Sequence, residues 1–277
     1  MTWVVGTPTP FGYATGISDI RATWTDGRAL DGVQKIHHVG PDIAAAFAGS
    51  VRLGFALLDD LRTVLGHLED PGRAWKPRAV ALVWRRRARR IYRDAPERER
   101  KLGAQIMLLG VSPRQNMPLM ISPTQSIPLP GLALATVAIM RSPQFEPHWI
   151  EIGAIDSIGS GSDSTPYVGM LRKISMEPFF WESEMRIPTA YAKMARHVLQ
   201  QTIERHPEAT VSPHVHLCIV GRGAVEINGT SHVCRRGGEI VELPMPAVAT
   251  TWAEFEAMHG RHSVGARTLA RQQRDSA

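Results

Sequence analysis

Met1-Thr2-Trp3-Val4-Val5-Gly6, Ile17-Ser18-Asp19-Ile20-Arg21-Ala22-Thr23, Gln34-Lys35-Ile36 and Ala48-Gly49-Ser50 are four pieces of the first fifty residues, and their joint reading decides the fold. Each lies at the edge of a strand-like segment. Thr2–Gly6 is short and β-prone, Phe11–Arg21 resumes as a second strand, and Val33–Val39 is a third. Thr25-Asp26-Gly27 and Gly40-Pro41-Asp42 are turn signals. Ile43–Gly49 is continuously apolar and small, the pattern of a strand covered on both faces. The period then changes. Val51, Phe55, Leu58, Leu61, Leu65 and Leu68 recur every three or four residues, so an amphipathic helix is predicted over Ser50–Glu69, ended by Asp70-Pro71-Gly72.

Downstream, helix is predicted over about Arg78–Gly103 with a break at Pro96, and a strand over Ala104–Val111. Ser112–Pro130 holds five prolines and reads as a surface loop inserted between elements. Leu134–Arg141 and Trp149–Ile158 read as a pair of strands. Gly159–Ser164 is a turn into a third helix near Thr165–Ile174, with Ser162 or Asp163 as its cap. A fourth helix is predicted over Ala190–Arg205. His214–Val220 and Ala224–Ile227 form a closing hairpin, and one more strand follows Gly237-Gly238. Trp252–Ala277 is a polar, basic tail. Strands grouped with strands and helices with helices predict an α+β domain over residues 1–250, with two sheets face to face and helices outside.

With 277 residues the chain can bury a large core without staples, and its 43% hydrophobic and 21% charged content is ordinary for a globular protein. Two cysteines imply no disulfide framework, and no secretory signal or membrane-length apolar run is visible, so a cytoplasmic location and no membrane partner are expected. Between Arg85 and Lys101 stand nine basic residues against three acidic ones, so the net charge of +6 is concentrated there. Such a run could meet phosphates, but only Trp84 and Tyr92 are aromatic and no nucleic-acid module is recognisable. A solvated helix face or a subunit contact is expected instead. His214, His216 and Cys218 alternate on one strand face at a spacing that suits a transition metal. The following Gly-Gly-Glu-Ile-Val-Glu-Leu-Pro adds a faint cupin pattern, but Val220 and Gly221 stand where a cupin carries Glu. No metal or organic cofactor is expected.

The opening pieces carry a chemistry of their own. A small Thr2 directs removal of Met1 and leaves a free α-amine beside a hydroxyl. That amine, with an ordinary pKa of about 7.7–8.0, can act as base for the hydroxyl. Lys35 is a cation able to lower it further, Asp19 a carboxylate able to hold Lys35, and Gly49 a backbone N–H donor at the head of a helix.

In this order the motifs resemble a proteasome β-type subunit, in the N-terminal-threonine branch of the Ntn hydrolases. The matching residues are Thr2 with Val5-Gly6, Ser18-Asp19-Ile20-Arg21-Ala22-Thr23, Lys35-Ile36, Ala48-Gly49 and Gly159-Ser160-Gly161, and the likeness spans about residues 2–230. The resemblance implies a four-layer α-β-β-α sandwich. It makes Thr2 the nucleophile, Asp19 and Lys35 its activating pair, Gly49 the oxyanion donor and Ser160 a support for the amine. Thr23 and Gly49 would bind an extended peptide as an added strand. Phe47 would line a shallow primary pocket that favours small side chains. The implied assembly is a homo-oligomeric ring or spiral acting on unfolded polypeptide or peptides, with room for an ATPase partner. Two departures are visible. The arm between Thr2 and Asp19 is one residue longer than is common. The Asp and Ser that the family spaces three apart have no full match in Pro207-Glu208-Ala209-Thr210-Val211-Ser212-Pro213, since Ser212 pairs with Ala209 and Glu208 with Val211. A catalytically weak structural or regulatory subunit, or a small-amide hydrolase, are the alternatives.

Overall fold

The computed structural model describes residues 3–24, 27–66, 76–112, 117–122, 125–129, 133–159, 165–175, 188–205, 211–236 and 239–259. Thr2, Ser160, the predicted cap at Ser162 or Asp163, the stop at Asp70–Gly72 and residues 206–210 lie outside the described residues.

The fold is α+β with antiparallel sheets. One five-stranded sheet takes the order β12 (Asp156–Ile158), β1 (Val4–Pro8), β2 (Ala14–Asp19), β13 (Val215–Gly221), β14 (Ala224–Thr230). The other takes the order β11 (Pro147–Trp149), β10 (Leu134–Arg141), β7 (Ala104–Ser112), β6 (Ile43–Gly49), β5 (Ile36–Gly40). Among the described residues three small hairpins join β3 (Arg21–Thr23) to β4 (Ala29–Asp31), β8 (Met117–Ser122) to β9 (Gln125–Leu129), and β15 (His232–Arg236) to β16 (Glu239–Leu243). The helices are α1 (Val51–Gly66), α2 (Pro77–Asp94), α3 (Glu97–Leu102), α4 (Thr165–Ser175), α5 (Pro188–Arg205) and α6 (252–259).

Three apolar clusters account for these elements. Val4, Ala14, Cys218 and Val220 of the first sheet pack with Ala44, Ala46, Ala48, Met107, Leu109 and Val137 of the second. The opposite face of the second sheet, through Ala45, Phe47, Ile106 and Leu108, meets Leu58, Leu61 and Leu65 of α1 and Val80 and Trp84 of α2. The opposite face of the first, through Val5, Ile17, Leu217 and Ile219, meets Tyr167 of α4 and Ala195, Val198 and Leu199 of α5. β6 therefore alternates between two apolar neighbours, which is why its sequence carries no polar residue.

Ser50 heads α1 as its N-cap. Its Oγ accepts from the Leu53 N–H at 3.1 Å and donates to Glu99 Oε2 at 2.6 Å. Phe255 of α6 is buried and stacks on Trp24, so residues 252–259 of the polar tail belong to the packed body.

Four expectations are corrected. The predicted second strand breaks after Asp19, because the Asp19 carboxylate accepts from the Arg21 N–H at 3.0 Å and turns the chain into a separate hairpin. Ser112–Pro130 is not a plain loop but contains β8 and β9. Pro118 stands opposite Pro128 there, so the two residues without an N–H share one ladder position and leave the adjacent pairs intact. Trp149–Ile158 is two strands in different sheets. Gly153, at φ +80 and with its N–H on Pro8 O at 2.7 Å, lets the chain cross from one to the other. One strand was expected after the closing hairpin; β15 precedes it and pairs with it.

A candidate active site at the Asp19–Lys35 pair

Lys35 precedes β5 and is fully buried, with 0% of its surface exposed. Its Nζ donates to Asp19 Oδ1 at 2.7 Å and to the Arg21 carbonyl at 2.6 Å. Asp19, 1% exposed at the end of β2, is held in turn by backbone. The Trp3 N–H reaches its Oδ1 at 2.8 Å, and the N–H groups of Arg21 and Ser212 reach Oδ2 at 3.0 and 3.4 Å. A buried ion pair needs such extra hydrogen bonds to offset the loss of water. Burial pushes the Lys35 ammonium below its ordinary pKa, against the charge and hydrogen bond of Asp19 and the charge of Asp31.

A second tier lies beside the pair. Arg21 grips Asp31 with two hydrogen bonds, Nε to Oδ1 at 2.6 Å and Nη2 to Oδ2 at 2.9 Å. Ser212 Oγ donates to the same Asp31 Oδ2 at 2.9 Å and accepts from the His214 N–H at 3.2 Å. Burial raises the Asp31 carboxyl, but Arg21, Ser212 and the nearby His214 outweigh it and hold it below the ordinary value. Ser212 was weighed in the sequence as a match for the family's Ser, and Arg21 stood in a matched motif without an assigned role; Asp31 was not a candidate. The usable signal was that Asp31 lies within the span that carries Asp19 and Lys35.

Gly49 ends β6 at φ +93. Phe47 N–H bonds Lys35 O at 3.1 Å, and N–H groups two apart on a strand share an edge, so the Gly49 N–H is directed to the side where β5 has not yet begun. The same alternation operates in the β3–β4 hairpin. Trp24 N–H bonds Arg28 O and Gly32 N–H bonds Ile20 O, which directs the Thr23 backbone away from β4. Thr23 Oγ1 is buried without a hydrogen-bond partner among the described residues.

A Cβ at Gly49 would stand 2.5 Å from Gly103 O, a backbone atom that cannot swing aside. Gly49→Ala is expected to cost about 2–4 kcal/mol through the clash and the left-handed φ together. Thermal denaturation checks this, and an unchanged Tm would contradict it.

Phe47 is 1% exposed and packs between Phe55 and His37, with ring centroids at 5.2 and 6.4 Å. Of the sequence candidates, then, Asp19 and Lys35 are in contact, and Phe47 and Gly49 stand two apart on the strand next to Lys35. Thr23 lies two residues beyond Arg21. The positions of Thr2 and Ser160 are not described.

Among the described residues no three His, Cys, Asp or Glu side chains converge as metal ligands would. His214 stands ring to ring with His232 at 6.2 Å, and Cys218 is buried with its thiol pKa raised by that burial. In the basic segment, Arg85 and Arg89 pair with Glu146, and Arg87 pairs with Asp60. Among the described residues no helix is long and apolar enough to cross a membrane. No known family model matches the chain, and no curated protein is significantly similar to it.

Proposed function

We propose that the chain is an N-terminal-threonine hydrolase of the proteasome β-subunit type, with Thr2 as nucleophile after removal of Met1. The observation that carries this reading is the buried Lys35–Asp19 pair bonded to the Trp3 N–H. The residue before Trp3 is one peptide unit, about 3.8 Å between Cα atoms, from the backbone that touches this pair. The packing of two facing sheets, each backed by helices on its other side, supports the four-layer α-β-β-α arrangement that goes with the reading.

In this mechanism the Thr2 α-amine takes the hydroxyl proton as Oγ attacks a peptide carbonyl. Lys35, held charged by Asp19, disfavours the ammonium form of the amine and keeps it available as a base. The Gly49 N–H, at the head of α1, donates a hydrogen bond to the developing oxyanion, a contribution of roughly 2.7–4 kcal/mol. The C–N bond breaks as the leaving amine takes up the proton. Water, activated by the same α-amine, then hydrolyses the Thr2 ester and regenerates the enzyme. Ser160 supports the amine. An extended peptide would add as a strand between the outward backbone of Thr23 and that of Gly49. Phe47 and Phe55 fill the space beside that strand, which favours small side chains at the cleavage position. A homo-oligomeric ring or spiral with inward sites, fed by an ATPase or open to short peptides, is the assembly this reading entails.

A second reading, a structural subunit with little activity, draws on the absence of an acidic residue three before Ser212, where Ala209 stands. The deciding experiment treats wild type and Thr2→Ala with an electrophile that needs both the hydroxyl and the amine of an N-terminal Thr. Labelling of wild type with Met1 absent by intact mass, and none of Thr2→Ala, is expected. Retained Met1, or equal labelling of the two, would overturn the mechanism.

A further inference from the structure

We infer that Asp31 is the positioning carboxylate of this site: with Arg21 and Ser212 it ties the 211–214 segment and the β3–β4 hairpin onto Asp19 and balances the charge around Lys35. The role rests on the function proposed above, but the geometry that supports it does not.

Two parts of the chain far apart in sequence, the β3–β4 hairpin and the segment at Ser212, meet at this one carboxylate. Arg21 supplies two hydrogen bonds, in a fork that fixes orientation as well as distance. Ser212, 181 residues away, supplies a third. Both partners also bind the inner pair through their backbones. The Arg21 N–H and the Ser212 N–H go to Asp19 Oδ2, and the Arg21 carbonyl accepts from Lys35 Nζ. A displacement of the Arg21 side chain is therefore transmitted directly to an acceptor of the Lys35 ammonium. Asp31 grips both residues from the outside, and Asp19 grips both from the inside.

The charges point the same way. Lys35 and Arg21 are two cations, and Asp19 and Asp31 two carboxylates, so the buried inner pair and the partly exposed outer pair are each balanced in charge. His216 faces Lys35 from β13 and is kept uncharged, burial holding its pKa down at about 4. His214 lies near Asp31 on the same strand approach. Without Asp31 the guanidinium of Arg21 would lose the carboxylate that grips it with two hydrogen bonds, while its charge still acts on Lys35. Ser212 thus has a carboxylate acceptor in Asp31, although Ala209 stands three residues before it.

The test uses the full chain with 13C- and 15N-labelled lysine. Five lysines give few signals, and Lys35→Arg identifies the one from Lys35. In Asp31→Asn the Lys35 midpoint is expected to fall by about one pH unit. In Arg21→Gln it rises, and in Asp31→Glu it stays near wild type. In labelling by the Thr-directed electrophile, Asp31→Asn lowers the plateau rate about tenfold and moves the acid limb down, while Asp31→Glu restores both in part. A residue that only braced the fold would lower Tm and leave the Lys35 midpoint and the limb in place, and that result overturns the proposal. If Asp31→Asn does not fold, Arg21→Gln carries the test, and an unmoved Lys35 midpoint overturns the proposal again. If wild type is not labelled, the Thr2 mechanism falls, and the Lys35 titration still judges Asp31.

Discussion

Asp19→Asn is expected to destabilise the protein by about 3–5 kcal/mol, the usual consequence of leaving one member of a buried ion pair without its partner. Lys35 has no exposed surface, and its remaining acceptors would be neutral carbonyls, that of Arg21 and that of the new amide. Its ammonium must then persist unpaired or give up its proton, and burial already favours the second course. Three backbone N–H groups now gathered on Asp19, from Trp3, Arg21 and Ser212, would also face a weaker acceptor or an amide N–H. The double variant Asp19→Asn with Lys35→Met should recover much of the loss, because the charge leaves together with its partner. Urea denaturation of the two variants and wild type checks this. A single variant within about 0.5 kcal/mol of wild type would contradict it, since that is the range of an ordinary surface change.

Acidification from pH 6.5 to pH 4 should remove several kcal/mol of stability. His37 and His216 are both buried, and burial is the main reason their pKa values fall to about 4. His37 shows why the neutral ring is required. Its Nε2 donates to Gln34 O at 2.7 Å, and its Nδ1 accepts from Arg62 Nη2 at 2.7 Å, so a second ring proton would break the Arg62 contact. For these groups the folded pKa lies below the unfolded value of about 6.5, so the unfolded chain binds more protons between the two. Stability is fully present above pH 6.5 and is lost as the pH falls towards 4. Each histidine contributes at most about 3 kcal/mol to that loss. Asp31, whose carboxyl is held low, loses its contribution only below its unfolded value near 3.8, outside this window. Denaturation midpoints measured across the range provide the check. His37→Gln should roughly halve the slope, and a slope unchanged by that substitution would refute the assignment.

Much of the fold can be read from period alone. β6 and α1 follow from an apolar run that turns into a three-to-four-residue repeat at Ser50, and Ser50 proves to be the cap at that junction. Asp19 and Lys35 were legible as a pair because each stands as a charge at the edge of a strand-like segment, in the order that the resemblance carries. The β3–β4 and β8–β9 hairpins were not legible. The first depends on one side chain bonding its own backbone, and the second on two prolines facing each other across a ladder. Neither arrangement leaves a period in the sequence.

Local order along the chain thus determined the long strands of the two sheets, the main helices and the strand-end glycine. Only the tertiary structure decided that β12 leaves the strand next to it in sequence and pairs with β1. Only the tertiary structure, too, brought Ser212 to Asp31 and Asp19. Contacts over 181 and 193 residues depend on which sheet faces which, and that is settled by burying both apolar faces of each sheet at once.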